Sequence, residues 1–258
     1  MLILHMIPMP DTSNAFLAFS GEGILLIAIV AIAIFVWIAI SRARDARIKA
    51  MGLLASELGL QFNSNDNTMH NERFKQFACF QTGTRQTAYN TMTGSLSMGG
   101  EATEVLIGDF RYTVRQQSGK HQSTKIIRFS YALLRIPYGQ TPSVLIRREH
   151  FFDKLAAFFG FDDIDFESVE FSKKFKVGSS HKRFAWDLID QGMMEYLLGT
   201  DSPPIELEDG WVCLTQKSKW SPDQFRAIIE FANGFMDRWP QHTRRGLLEG
   251  RYRGEDSE

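Results

Sequence analysis

From Ile24 to Ile40 the chain reads ILLIAIVAIAIFVWIAI, without one charge, amide or proline. Such a run must be handed either to a protein core or to lipid. At about 1.5 Å per residue, a helix over it, completed by Gly23 and Ser41, covers most of a hydrocarbon layer roughly 30 Å thick. Core helices of this length usually carry a polar interruption, and here there is none. A cleaved leader needs positive charge before a shorter apolar stretch and small residues at the cleavage point, whereas these charges follow the run. The expected element is a transmembrane helix over residues 23–41.

Charge sets its direction. No Lys or Arg precedes Arg42, Asp11 and Glu22 make the leading segment acidic, and Arg42, Arg44, Arg47 and Lys49 follow the run at once. That asymmetry places the C-terminal side in the cytoplasm, with the Trp37 ring near headgroup level. The basic SRARDARIK stretch also suits anionic headgroups, each cation contributing on the order of 1 kcal/mol, but topology determination alone accounts for it. The alanines at 28, 31, 33 and 39 make no small-xxx-small frame for close helix pairing.

The 258 residues leave room after the span for one sizeable domain, and a net charge of -1 argues against a nucleic-acid binder. The 21 phenylalanines, most of them after residue 60, supply apolar area for a core. Cys79 and Cys213 show no CxxC pairing and no zinc-like spacing with histidine, so they read as free buried thiols in a reducing cytosol.

Within the soluble part, Ile48, Met51, Leu54 and Leu58 recur at helical intervals before Gly59, a natural C-cap, and the span can run on into this helix. A short helix is expected over 71–77, with Phe74 and Phe77 on one side. The period then becomes two: Leu106, Gly108, Phe110, Tyr112 and Val114 alternate with Asp109, Arg111, Thr113 and Arg115, and residues 123–136 repeat the pattern across the turn sequence QQSGKH. A long antiparallel hairpin follows, flanked by strands over 85–92 and 143–147. The GSLSMGGE segment between the first strands reads as a mobile loop. Phe151, Phe152, Leu155, Phe158 and Phe159 form a helical stripe over 148–159, a second helix is expected over 184–198, and Asp209-Gly210 turns a compact hairpin. The last helix is fully signalled: Ser221 as N-cap, Pro222 at the first position, Gln224 closing a capping box, Trp220 stapled onto Phe225, and Pro240 ending it. The fold class is α+β, an N-terminal transmembrane helix followed by an antiparallel sheet with helices packed on one face.

Chemistry has few places to reside. In FDDIDFESVEFSKKFKV an extended segment puts Asp163, Asp165 and Glu167 on one face and Ile164 and Phe166 on the other, and three such carboxylates could hold Mg²⁺ or Ca²⁺. The spacing is not that of an EF-hand, and Lys173, Lys174 and Lys176 make a solvated strand face the simpler reading. His181 precedes a helix containing Asp187, an acid/base pair without a nucleophile. Ser97 in SLSMG misses the nucleophile elbow by its first glycine and lies within a hairpin. No GxxxxGK[ST], no GxGxxG after a strand and no HExxH occurs.

The stretch Asp163 to Leu198 carries Glu170-Phe171-Ser172, Lys173-Lys174-Phe175, Arg183-Phe184-Ala185, Asp187-Leu188-Ile189 and Met193-Met194-Glu195. In these motifs it resembles a group of bacterial proteins with one N-terminal membrane helix and a cytoplasmic domain, in which an aspartate is expected where this chain has His181. The resemblance implies topology and a bacterial source, without an activity.

The expected organisation is an extracytoplasmic segment (1–22), a span (23–41), a basic juxtamembrane helix (42–60), a cytoplasmic domain (61–240) and a flexible tail (241–258), in a bacterial inner membrane. The function expected is a non-catalytic binding or scaffolding module, whose candidate contacts are the 95–101 loop and the juxtamembrane arginines. Its partners are the lipid bilayer and another membrane or cytoplasmic protein, without nucleic acid or cofactor. The alternative is a metal-assisted enzyme built on Asp163, Asp165 and Glu167, with Glu170 or His181 carrying the proton.

Overall fold

The apolar run and the basic segment form one helix, α1 (Gly21–Glu57). It ends as the glycine at 59 requires: Gly59 takes φ +69°, its N–H donates to the Ser56 carbonyl, and the Leu60 N–H donates to the Ala55 carbonyl at 2.8 Å. These paired bonds satisfy carbonyls that a helix end otherwise leaves open. The computed structural model describes residues 21–118, 121–148 and 163–253. The Phe-rich helix expected over 148–159 therefore falls almost wholly outside the described residues.

The chain divides into two compact units, Met1–Arg47 and Ile48–Glu258. In the first, every side chain from Ile24 to Ile40 is exposed. In the second, Met51, Leu54 and Ala55 on the last turns of α1 are buried. The domain thus begins at residue 48, earlier than the boundary at 61 that composition suggested, because the amphipathic half of α1 supplies part of its core.

That domain is built on one eight-stranded antiparallel sheet of order β1-β2-β3-β4-β8-β7-β5-β6. Its strands are β1 (Gln61–Asn63), β2 (Thr84–Met98), β3 (Glu101–Ser118), β4 (His121–Arg135), β5 (Val144–Arg148), β6 (Phe175–Ser179), β7 (Ile205–Glu208) and β8 (Trp211–Thr215). The β3–β4 pairing runs from Val105↔Leu134 to Ser118↔His121 without a slip, as the alternation predicts. Asp209 (φ +49°) and Gly210 (φ +76°) turn β7 into β8 in the doubly left-handed conformation that matches strand twist.

Alternation divides the sheet's side chains between two cores. Val105, Ile107, Ala132, Leu134, Val212 and Leu214 join α1 and the larger helical layer. That layer comprises α4 (Val169–Lys174), α5 (Lys182–Leu188), α6 (Gln191–Gly199), α7 (Pro222–Asp237) and α8 (Gln241–Leu248). The intervening residues Leu106, Phe110, Phe129, Tyr131, Leu133, Trp211 and Cys213 form a second, smaller core with Phe74, Phe77, Cys79 and Phe80. Two single-turn helices, α2 (His70–Arg73) and α3 (Ala78–Gln81), supply that cover, in place of the one short helix expected over 71–77.

Three further expectations need correcting. The GSLSMGGE segment is no loop: Gly94 to Met98 continue β2, pair with Glu101 to Val105 of β3, and turn at Gly99-Gly100. The glycines bring only the turn; Leu96 packs on the main core and Met98 is buried in it. The helix expected over 184–198 is two, because the Asp190 carboxylate accepts from the Met193 N–H and starts α6 afresh. Residues 241–253 are not a loose tail, since α8 buries Thr243 and Leu247 and the chain beyond it buries Tyr252. Finally, α7 buries Phe225, Phe231, Ala232, Phe235 and Met236, while its capping box and the Trp220–Phe225 contact, rings 5.1 Å apart, form as read.

Candidate functional site

The acidic stretch adopts the extended face predicted for it. Ile164 is buried and Phe166 half-buried, whereas Asp163, Asp165 and Glu167 are exposed. The structure does not gather the three into a cation site. One Asp163 oxygen lies 3.6 Å from Lys176 Nζ across the bridge to Gly178, and Glu170 pairs with Lys174 at 2.8 Å, which holds its carboxyl below the usual range. Among the described residues no group of three or more His, Cys, Asp or Glu side chains converges as metal ligands would. The juxtaposition of carboxylate and ammonium is that of a solvated strand face.

His181 is a helix cap. Its Nδ1 accepts from the Phe184 N–H at 3.2 Å, its ring meets Tyr252 edge-on, and the residue is buried. An aspartate at this position would make the same capping bond. Asp187 accepts from the Tyr252 hydroxyl at 2.8 Å, and Thr243 Oγ1 donates to the Asp187 carbonyl at 2.6 Å. Burial and the adjacent carboxylate push the Tyr252 hydroxyl up to about 12. These bonds fasten the C-terminal residues onto α5, and no nucleophile stands beside them. The apolar positions of the same block, Phe171, Phe184, Ala185, Leu188, Ile189 and Met193, are all core.

The 95–101 segment, expected to be a mobile contact loop, is held in place. Gly99 N–H donates to Asn233 Oδ1 at 2.9 Å, and a Cβ on Gly99 would stand 2.8 Å from the Met236 carbonyl carbon. Ser97 is a strand residue paired with Ala102.

Two polar features escaped sequence reading because strand register creates them. Asp109 is fully buried, where alternation alone put it on a polar face. Its carboxylate accepts from the Asn90 amide at 3.1 Å and from the Ser130 hydroxyl at 2.7 Å, and Ser130 Oγ in turn accepts from the Trp220 N–H. This relay joins the β2 bulge, β3, β4 and the approach to α7. Under α3, Glu206 is opposite Cys213 in the β7–β8 ladder, only 5% exposed, with its Oε1 lacking a partner. Burial pushes its carboxyl up to about 8, the Ala78 backbone bond opposing and Glu208 assisting. The Cys79 and Cys213 thiols are free, buried and hydrogen-bonded to each other, and burial raises both. His70, held among Phe74, Phe80 and Tyr131, is pushed down to about 3 by burial and then by Arg73. Burial thus favours the neutral forms of Glu206 and His70 in this core.

What remains is the rod. Gly23–Glu57 contains the one helix among the described residues long and apolar enough to cross a membrane, and its most apolar window is wholly unburied. Phe35 and Trp37 stand 72% and 68% exposed. An unbroken apolar surface on all sides of a helix has no counterpart on an ordinary water-soluble fold. By length and composition the apolar rod, followed by basic turns, is a candidate membrane anchor.

Comparison with known proteins agrees at the level of architecture. No family model matches the chain, and no curated protein matches it. Among solved structures the fold is similar to that of the mycobacterial trehalose monomycolate transport factor A, TtfA, with a TM-score of 0.53 and 13% identity over 75% of this chain and 96% of that one. At that identity the likeness is one of fold.

Proposed function

We propose that this chain is a single-pass protein of a bacterial inner membrane that holds an α+β domain at the cytoplasmic surface and serves as a non-catalytic binding or scaffolding module. The observation that carries the reading is the complete exposure of Ile24 to Ile40, which lipid alone can cover. The excess of Lys and Arg on the C-terminal flank supports the orientation. The dispersed carboxylates of the acidic stretch favour binding over catalysis. Tethering by α1 raises the domain's effective concentration for membrane partners without any new contact. The fold neighbour is a factor in trehalose monomycolate transport, which favours an accessory part in moving a membrane-embedded or amphiphilic cargo.

A reporter fused after Arg253 tests the topology: an enzyme active only in the cytoplasm should work there, and one active only in the periplasm should stay silent. Retention of the chain in the pellet after alkaline carbonate extraction tests the span. Crosslinking in native membranes, with identification of the captured species, tests the module: a reproducible membrane-protein partner supports it, and capture of nothing but lipid counts against it.

A further inference from the structure

The distal part of the sheet is a basic ribbon. From Phe110 to Arg128 the sequence has Arg111, Arg115, Lys120, Lys125 and Arg128 and not one Asp or Glu, in a chain whose net charge is only -1. Strand β2 alongside it, Thr84–Met98, carries Arg85 and no acid either. Register then concentrates the charge. Arg111 lies directly opposite Arg128, and Thr113 opposite Ile126, while Arg115 faces Thr124. Arg111, Arg128, Ile126 and Arg115 therefore share one face, beyond the reach of the helical layer. Like charges directly opposed across an antiparallel pair are unfavourable unless an anion joins them. Asp66 pairs with Arg111, but among the described residues Arg115 and Arg128 form no ion pair, and Ile126 is 47% exposed on the face they share.

We propose that this ribbon docks on anionic phospholipid headgroups. The proposal rests on the membrane-anchored reading, since an anchor keeps the domain within reach of such a surface throughout its life. Headgroup phosphates neutralise Arg115 and Arg128, and Ile126 has the apolar side chain that a bilayer boundary accepts.

The test uses the full chain in bilayer discs with a single environment-sensitive fluorophore on Thr124→Cys, which lies opposite Arg115 on the same face; the native thiols are buried and will not label. Brominated lipids report depth. In discs containing phosphatidylglycerol the probe should be quenched, in phosphatidylcholine discs it should not, and 0.5 M salt should release it. R115E/R128E should abolish quenching while leaving the melting temperature unchanged, and R115K/R128K should retain it. Each cation removed should weaken docking roughly fivefold. Equal quenching in both lipids, or none in either, overturns the proposal, as does quenching by added RNA or an acidic protein but not by anionic lipid. Carbonate extraction of the same chain reports on α1 alone, so failure of the anchor and failure of the ribbon are separately visible.

Discussion

The two halves of α1 are one helix with two surroundings. From Ile24 to Ile40 every side chain is apolar and exposed; from Met51 to Ala55 a narrow stripe is buried by strands and helices distant in sequence. Hydrophobicity is greater in the exposed half. Its periodicity is what differs: an apolar stripe implies a protein partner on one side, and an apolar surface all round implies lipid.

Substitutions can break that contrast. Leu54→Ala should cost the domain about 2–5 kcal/mol through lost burial and a residual cavity, whereas Ile32→Ala should leave its melting unchanged in the same detergent or disc. A comparable loss from Ile32→Ala would mean that the rod belongs to a protein core. Ile32→Arg should cost about 2.5–3.5 kcal/mol of membrane insertion, read as release of the chain by carbonate, again without effect on domain unfolding.

Titration should separate the halves as well, because the rod from Ile24 to Ile40 contains no ionisable group. Glu206 is raised from 4.5 to about 8 in the folded state, so its neutral form is favoured there; the stability this contributes is complete below pH 4.5 and lost as pH climbs to 8. His70 is lowered from 6.5 to about 3, so its contribution is complete above pH 6.5 and lost as pH falls to 3. Between pH 4.5 and 6.5 the slopes offset, giving a plateau. From pH 6.5 to 8 the domain should lose about 2 kcal/mol, and Glu206→Gln should flatten that arm alone. Denaturant midpoints across pH check this, while sedimentation of the chain with membrane vesicles should be flat over the same range. Ser221→Ala should cost about 1 kcal/mol by removing the α7 cap, with no effect on retention. Smallest of all, millimolar Mg²⁺ or Ca²⁺ should leave the melting curve in place, since Asp163 is already beside Lys176.

Local chemistry made much of the architecture legible. The span, the β3–β4 alternation, the Asp209-Gly210 turn and the capping box at Ser221 are signals contained within a few residues, and each appears where its residues put it. What sequence hid depends on pairing across distance. Glu206 is buried because β7 lies between β8 and β5, and Asp109 because the β2 bulge brings Asn90 over it. A strand residue's polarity names the face it prefers, but the neighbours decide whether that face is wet. The GSLSMGGE segment misled for the opposite reason: its glycines suggested freedom, while Leu96 and Met98 packed it down. Asp190 could have been seen, since an N-cap residue three positions before Met-Met-Glu marks a restart.

The order β4-β8 joins residues separated by 76 to 84 positions in the chain, from Arg135↔Trp211 to Tyr131↔Thr215. At a synthesis rate of roughly 5–20 residues per second, the edge of β4 stands open for several seconds before Trp211–Thr215 emerges to close it. During that interval the ribosome carries a half-built sheet with a long unsatisfied edge, a template for stray strands. A nascent chain already threaded into the bilayer by its first helix would pass those seconds apart from its sister chains, so early insertion serves as protection against misassembly as well as an address.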